Sequence, residues 1–173
     1  MMTQTTESLH QTFQTSDSAL DVEAMVRWLD RVDAHPPTAQ LKQSMLELCP
    51  VAAGDRVLDV GCGVGHEVLR LAERVGPAGR VVGIDPSAPM IAQARRRAAD
   101  RPLPVEYEIG DAHELAFPEE VFDLCRTERV LRYLHQGRKR RCARWPAWSA
   151  AEAGCWRRTS TQTRPSSTPP ISR

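Results

Sequence analysis

Val57-Leu58-Asp59-Val60-Gly61-Cys62-Gly63-Val64-Gly65 is the stretch on which the reading of the fold turns. Its first four residues are a short apolar run with a single carboxylate, bounded by Gly54-Asp55 before and by three glycines in five positions after. That is the pattern of a buried parallel strand entering a tight loop. Gly61, Gly63 and Gly65 can take positive φ and carry no Cβ, so the chain turns sharply and leaves bare amides at the start of the next element. From His66 to Val75, the apolar residues Val68, Leu69, Leu71, Ala72 and Val75 fall on one face of a helix. Strand, glycine loop and helix together open the kind of crevice in which α/β sheets bind nucleotides.

The loop departs from the dinucleotide pattern in two ways. His66 stands where that pattern puts its third glycine, and Asp59 sits two residues ahead of the loop. A carboxylate there repels a pyrophosphate and suits a ligand with positive charge, such as an amino-acid ammonium. On these residues the run resembles motif I of the class I S-adenosylmethionine-dependent methyltransferases, usually close to V-L-D-x-G-C-G-x-G. Eight of its nine letters are common choices of that family. The resemblance implies a Rossmann-like α/β three-layer sandwich around a parallel sheet, with S-adenosylmethionine as cofactor.

Further along, Arg80 to Asp85 reads as the second strand, reached by the tight turn Gly76-Pro77-Ala78-Gly79. Asp85 lies 20 residues after Gly65 at a strand end, where a carboxylate can accept hydrogen bonds from both ribose hydroxyls of a nucleoside. It can equally cap the helix that begins near Pro86-Ser87. Met90 to Ala99 is a helix whose basic triple, Arg95 to Arg97, reads as a solvated outer face. Val105 to Ile109 alternates like a third strand and leads into Gly110-Asp111-Ala112-His113. This is similar to the family segment ending in G-D-A, in which the aspartate faces the adenine amino group and the next backbone amide faces a ring nitrogen.

Phe117, Pro118 and Val121 to Cys125 are similar to the family's passage into its fourth strand, with Arg126-Thr127-Glu128-Arg129 just past that strand at the carboxyl edge. The resemblance runs from about Asp21 to Leu134, with four motifs in order. It implies cofactor contacts from Asp59, Gly61, Cys62, Gly63, Gly65, Asp85, Pro86, Asp111, Ala112 and Arg126.

Before the sheet, Met1 to Ser18 is rich in Thr, Gln and Ser and reads as a disordered lead. From Asp21 to His35, and again at Leu41, Met45, Leu46 and Leu48, apolar residues recur at helical spacing on either side of Pro36-Pro37. The resemblance gives such helices a place over the crevice, in the acceptor pocket, while covering one sheet face is the plain alternative; Trp28 is expected in the core. The division expected is a lead over 1–20, cap helices over 21–50, a partial cofactor-binding domain over 51–137 and a tail over 138–173.

At 173 residues and 41% apolar content there is enough chain for one domain with a core. No run of about 18 apolar residues is long enough to span a membrane. The five cysteines, Cys49, Cys62, Cys125, Cys142 and Cys155, show neither metal nor disulfide spacing, so a reduced, cytoplasmic chain without a metal is expected.

Neither the Asn/Asp-Pro-Pro-Tyr motif of nucleic-acid amino-methyltransferases nor the Pro-Cys loop of the cytosine C5 enzymes is present. A small-molecule methyl acceptor is left as the default. Methyl transfer from a sulfonium is an in-line displacement, so positioning in a dry pocket supplies most of the catalysis, with a base needed only if the acceptor must lose a proton. His66, His113 and His135 are candidates by residue type only, and none is assigned.

The chain changes character after Leu134. Residues 1–136 hold 14 Lys and Arg against 21 Asp and Glu, net −7, and residues 137–173 hold 9 against 1, net +8. From His135 on there is no Leu, Val, Met, Phe or Tyr, while three of the four tryptophans fall there. A disordered tail is expected, with no strand, leaving a sheet of order 3-2-1-4 whose fourth strand is an open edge. Interleaved Arg and Trp fit a basic nucleic-acid-binding tail.

A different origin accounts for the composition better. Trp and Cys codons begin with TG, so in the frame starting at each preceding third base Cys142, Trp145, Trp148, Cys155 and Trp156 all become Leu, Met or Val. Permissible codons around them give a helix, an R-x-G-G turn and a strand similar to the family's next elements. Residues from about Arg138 onward are therefore read as an out-of-frame product. The functional alternatives to a small-molecule methyltransferase are a truncated, inactive relative that at best binds cofactor, a basic-tail nucleic-acid binder and a nicotinamide-dependent Rossmann protein, the last disfavoured by Asp59 and His66.

Overall fold

The computed structural model describes residues 19–112, 115, 117, 121–128 and 153–157. Strands β1 (Arg56–Val60), β2 (Arg80–Asp85), β3 (Val105–Ile109), β4 (Leu124–Glu128) and β5 (Ala153–Arg157) form one sheet in the order β3-β2-β1-β4-β5. The first four are parallel and β5 is antiparallel to β4. Helices α1 (Ala19–Ala34) and α2 (Pro36–Leu48) precede the sheet, α3 (His66–Val75) joins β1 to β2, and α4 (Ala88–Ala98) joins β2 to β3.

The central strands are apolar on both faces because both faces are covered. On one side Leu46 of α2, Val68, Leu71, Ala72 and Val75 of α3 and Ile91 and Ala94 of α4 close over Val57, Val81, Tyr107 and Leu124. On the other, Ala112, Phe117, Leu115 and Phe122 lie against Leu58, Val60, Val82, Ile84 and Cys125. The Phe117 and Phe122 rings meet edge to face, 5.0 Å between centroids. The leading helices thus take the covering role: Leu46 is buried in the first core, and the buried Lys42 ammonium bonds Asp33 at 2.9 Å. Trp28 is not core; it is 40% exposed, in a shallow depression with Arg31, Val32, His35 and Thr38.

The fourth strand runs from Leu124 to Glu128, further than expected, since Arg126 to Glu128 were expected just past it. Asp123 fixes the start. Its carboxylate accepts hydrogen bonds from the Arg56 amide at 3.0 Å and from the Arg56 guanidinium twice at 3.1 Å, while the Asp123 amide donates to the Arg56 carbonyl at 2.8 Å. Arg126, Thr127 and Glu128 are consequently inside the strand, not beyond it. The basic triple on α4 is also less solvated than expected, since Arg95 donates to the Tyr107 carbonyl at 2.5 Å and Arg97 to both oxygens of Asp30 at 2.7 and 2.8 Å.

The largest correction is at the sheet edge. Ala153–Arg157, expected to be part of a tail without strands, pairs along the whole of β4, from Leu124↔Arg157 to Glu128↔Ala153. Backbone pairing asks nothing of side-chain type, and the unpaired amides and carbonyls of β4 offer the template. Cys155 lies beside the first core and is disulfide-bonded to Cys49 at the end of α2, with Cα atoms 5.3 Å apart. A uniformly reduced set of cysteines is therefore not what the structure contains, and partners 106 residues apart cannot be recognised by local spacing. The remainder of 129–173 lies outside the described residues. Among the described residues no helix is long and apolar enough to cross a membrane.

A crosslink closing so long a loop stabilises mainly by restricting the unfolded chain. Cys155→Ser is expected to lower stability by about 2–4 kcal/mol, read as an earlier midpoint in urea. Adding a dithiol should lower the parent's midpoint and leave the variant's unchanged.

Candidate functional site

Three loops meet at the carboxyl end of the parallel strands, where an open α/β sheet holds its ligands. The first follows β1. The Gly61 and Cys62 amides both donate to the Ile84 carbonyl, at 2.8 and 2.9 Å, which ties the loop to the end of β2. Gly63 has φ +54°, and a side chain built there would find nothing within 4 Å, so this turn of the loop borders open space. Gly65, at φ +83°, caps α3, and a Cβ on it would stand 2.7 Å from the Tyr107 hydroxyl and 3.0 Å from Ala94 Cβ. The loop is packed on one side and open on the other.

Asp85 joins the loops. One carboxylate oxygen accepts from the Gly63 amide at 2.9 Å and the other from the Ser87 amide at 2.9 Å. Its backbone carbonyl accepts from the Gly110 amide at 3.1 Å, which draws Gly110-Asp111-Ala112 to the same corner. Burial raises the Asp85 pKa, opposed by the two amide hydrogen bonds. Capping of α4 falls to Ser87, whose hydroxyl accepts from the Met90 amide at 3.5 Å, and not to Asp85. Pro86 and Asp111 are exposed beside it, and Ala112 is buried in the second core.

Asp59 and Arg126 are register partners on β1 and β4, both buried, with the guanidinium 3.2 Å from the carboxylate. Arg126 also donates to Glu128 at 2.8 Å and lies 3.5 Å from Glu67. Burial pushes the Asp59 carboxyl up to about 6 against the opposing pull of Arg126. In this form Asp59 therefore faces a protein cation, whereas its place before the loop had pointed to a ligand ammonium.

Burial pushes the Cys62 thiol well above the usual range, which disfavours the thiolate. His66 opens α3 with Nε2 3.0 Å from Asp30 and against the Arg97 guanidinium, and burial lowers its pKa. His113 and His135 lie outside the described residues. Among the described residues no group of three or more His, Cys, Asp or Glu is arranged for a metal.

Sequence reasoning missed Glu67, Glu128 and Tyr107. Glu67 and Arg70 carry a readable signal, an i,i+3 pair in the first turn of α3. Arg126 and Glu128 carry another, two charges on one face of a strand. Asp59, Glu67 and Glu128 all lie against Arg126, and Glu67 also against Lys42 and Arg70, so these acids of the corner are paired within the protein.

Comparison with known proteins agrees with the fold. Residues 57–145 match the family model described as a methyltransferase domain. Nocamycin O-methyltransferase of Saccharothrix syringae is 44% identical over 81 residues, covering 46% of this chain and 29% of that one. An uncharacterised 37.1 kDa protein in a Streptomyces fradiae transposon is 40% identical over 109 residues, covering 63% of this chain and 31% of that one. A SAM-dependent methyltransferase from Aquifex aeolicus shares the fold at TM-score 0.55 and 24% identity, over 65% of this chain and 60% of that one. The chain spans about 30% of the length of these two curated relatives.

The raised Asp59 pKa has a defined sign. A carboxyl whose folded pKa exceeds its unfolded value of about 4 contributes stability that is complete below about pH 4 and is lost as pH rises through about 6. Measured against Asp59→Asn, the parent should lose urea stability between pH 4 and 6 and run parallel to the variant above pH 7. Parallel curves throughout would show that Asp59 ionises as freely folded as unfolded.

Proposed function

The chain belongs to the class I S-adenosylmethionine-dependent methyltransferases, and from that membership we propose that it transfers a methyl group to a small-molecule acceptor. The cofactor of the family is S-adenosylmethionine, which when bound supplies a methyl group on positively charged sulfur. One observation carries the assignment of its site: the Gly63 amide, at an open turn of the loop, is held by the Asp85 carboxylate at 2.9 Å. A carboxylate already fixed by two backbone amides keeps further lone pairs for ribose hydroxyls. Gly61, Cys62, Gly63 and Gly65 give the ligand close access to backbone. Asp111 and Ala112 are assigned to the adenine and Pro86 to the wall beside the ribose. Arg126 is assigned an indirect part, holding Asp59 and Glu128 beneath the site. The similarity to nocamycin O-methyltransferase supports an acceptor of small-molecule class.

The domain division follows the same reading, with cap helices over 21–50 and a cofactor-binding unit over 51–137, but the segment 138–173 is not separate from it, since residues 153–157 join the sheet as β5. A cytoplasmic location is proposed with it; there the Cys49–Cys155 bond would be reduced, and its formation would mark an oxidising environment. A second reading is cofactor binding without transfer, since the glycine loop and Asp85 are assigned to the cofactor while no described residue is assigned to the acceptor.

Calorimetric titration of the full chain with S-adenosylhomocysteine should show saturable binding, weakened at least about tenfold by Asp85→Ala and absent for NADH. A folded, soluble protein that fails to bind would overturn the cofactor assignment. Binding without methyl transfer to a panel of phenolic and quinol acceptors would select the second reading. For the tail, the nucleotide sequence across codons 130–173 should contain, in the neighbouring frame, an open run with aliphatic residues opposite Cys142, Trp145, Trp148, Cys155 and Trp156; a stop codon in that run would exclude the frame change.

A further inference from the structure

The Tyr107 side chain stands out from the rest of the site. It is on β3, opposite Gly83 of β2, and is 6% exposed. Its hydroxyl is buried and has no hydrogen-bond partner among the described residues. A buried hydroxyl without a partner costs free energy that a phenylalanine would avoid, so its presence calls for a state in which it is bonded.

The surroundings indicate which state. The ring tip lies directly under the cofactor loop, close enough that a Cβ on Gly65 would be 2.7 Å from the hydroxyl and 3.0 Å from Cε1. Gly65 is the cap of α3, where the loop turns into the helix. The same loop is anchored at the Ile84 carbonyl through the Gly61 and Cys62 amides and at Asp85 through the Gly63 amide, and beyond Gly63 it is open. Below Gly83, where a Cβ would meet Cys62 Cβ and Sγ at 3.0 Å, the missing side chain gives Cys62 its place. The loop is thus tied to β2 at its start and middle, while its last turn, closed on itself by the Gly65 amide donating to the Cys62 carbonyl at 3.0 Å, rests on an unsatisfied hydroxyl.

We propose that Tyr107 is a positioning residue for the cofactor loop, its hydroxyl bonding a loop backbone group only when the site is filled. The inference rests on the cofactor reading above. Contact from the open side presses the Gly63–Gly65 turn toward β3 and supplies the partner that the hydroxyl lacks, so part of the binding free energy comes from a group that never touches the ligand. A purely structural tyrosine would instead be bonded with the site empty, and its loss would be felt there.

Tyr107→Phe separates the two. The full-length variant should melt at the same temperature as the parent or higher without ligand, and bind S-adenosylhomocysteine about fivefold more weakly, with a smaller ligand-induced rise in melting temperature. Amide exchange at Gly65 and His66 should slow on binding in the parent and much less in the variant. Equal affinity in parent and variant would overturn the proposal alone, as would an unliganded variant less stable than the parent, since the hydroxyl would then be bonded already. A parent that does not bind would overturn the cofactor reading and this inference with it. Tyr107→Leu, which removes the ring as well, is expected to lose stability, marking the ring's packing as distinct from the hydroxyl.

Discussion

The pairing of β1 with β4 is pinned at both ends by ion pairs of opposite polarity. Arg56 on β1 meets Asp123, and three residues on, Asp59 on β1 meets Arg126. Each pair spans the same 67 residues of sequence, so a single alignment of the two strands satisfies both. A slip by one residue would turn each side chain to the other face and leave two acids and two guanidinium groups buried without partners. Charges so placed do little for net stability, because desolvation offsets most of their attraction, but breaking one pair is costly. Their effect is to specify register at the strand next to the cofactor loop.

The remaining geometry of the site builds outward from that register. Glu67, in the first turn of α3, reaches Arg126 on one side and Lys42 and Arg70 on the other. Asp33 of α1 bonds Lys42 and Arg70, and those two cations hold its carboxyl well below the usual range despite burial. A continuous chain of charge therefore runs from the leading helices through the start of α3 to the sheet beneath the glycine loop. It fixes where α3 begins, and with it the turn at Gly65. Asp85 then connects that turn to the next two loops through hydrogen bonds that are nearly all to backbone, so the corner depends on few side-chain identities besides its own.

Much of this was legible in the chain. The glycine loop, the helix from His66 to Val75, the strand ending in Asp85 and the strand from Val105 to Ile109 appear with the bounds the pattern gives, because each is marked by apolar periodicity and ended by glycine or aspartate. The failures share a physical cause. The end of β4 was misplaced because a run of Arg, Thr and Glu reads as solvent-facing, and the burial of Arg126 depends on Asp59, 67 residues away. Arg97 reads as surface for the same reason, its partners Asp30 and His66 belonging to other helices. Trp28 erred the other way, an aromatic on an amphipathic helix that the fold leaves 40% exposed. Long-range pairing is invisible to a local pattern, whether it is an ion pair, a strand partner or the Cys49–Cys155 bond.

The sense of β5 bears on where the acceptor half of the site lies. In a doubly wound sheet a strand following β4 returns by a crossover to the amino edge and runs parallel. Here Glu128 and Ala153 are register partners, so the chain leaves β4 and enters β5 at the same carboxyl edge. Glu128 and Ala153 thus both stand at the carboxyl edge of the sheet, the place from which a methyl acceptor would have to be presented. A parallel strand carrying the aliphatic residues of the neighbouring frame would instead send that connection across the sheet face, closing the second core and leaving the rim to later segments. The two arrangements bury β4 equally well along its backbone. They differ in the apolar surface buried with it, and Gly154 and Cys155 bring little of that, so in this chain the edge is held by the disulfide and the ladder, with side-chain packing the lesser contribution.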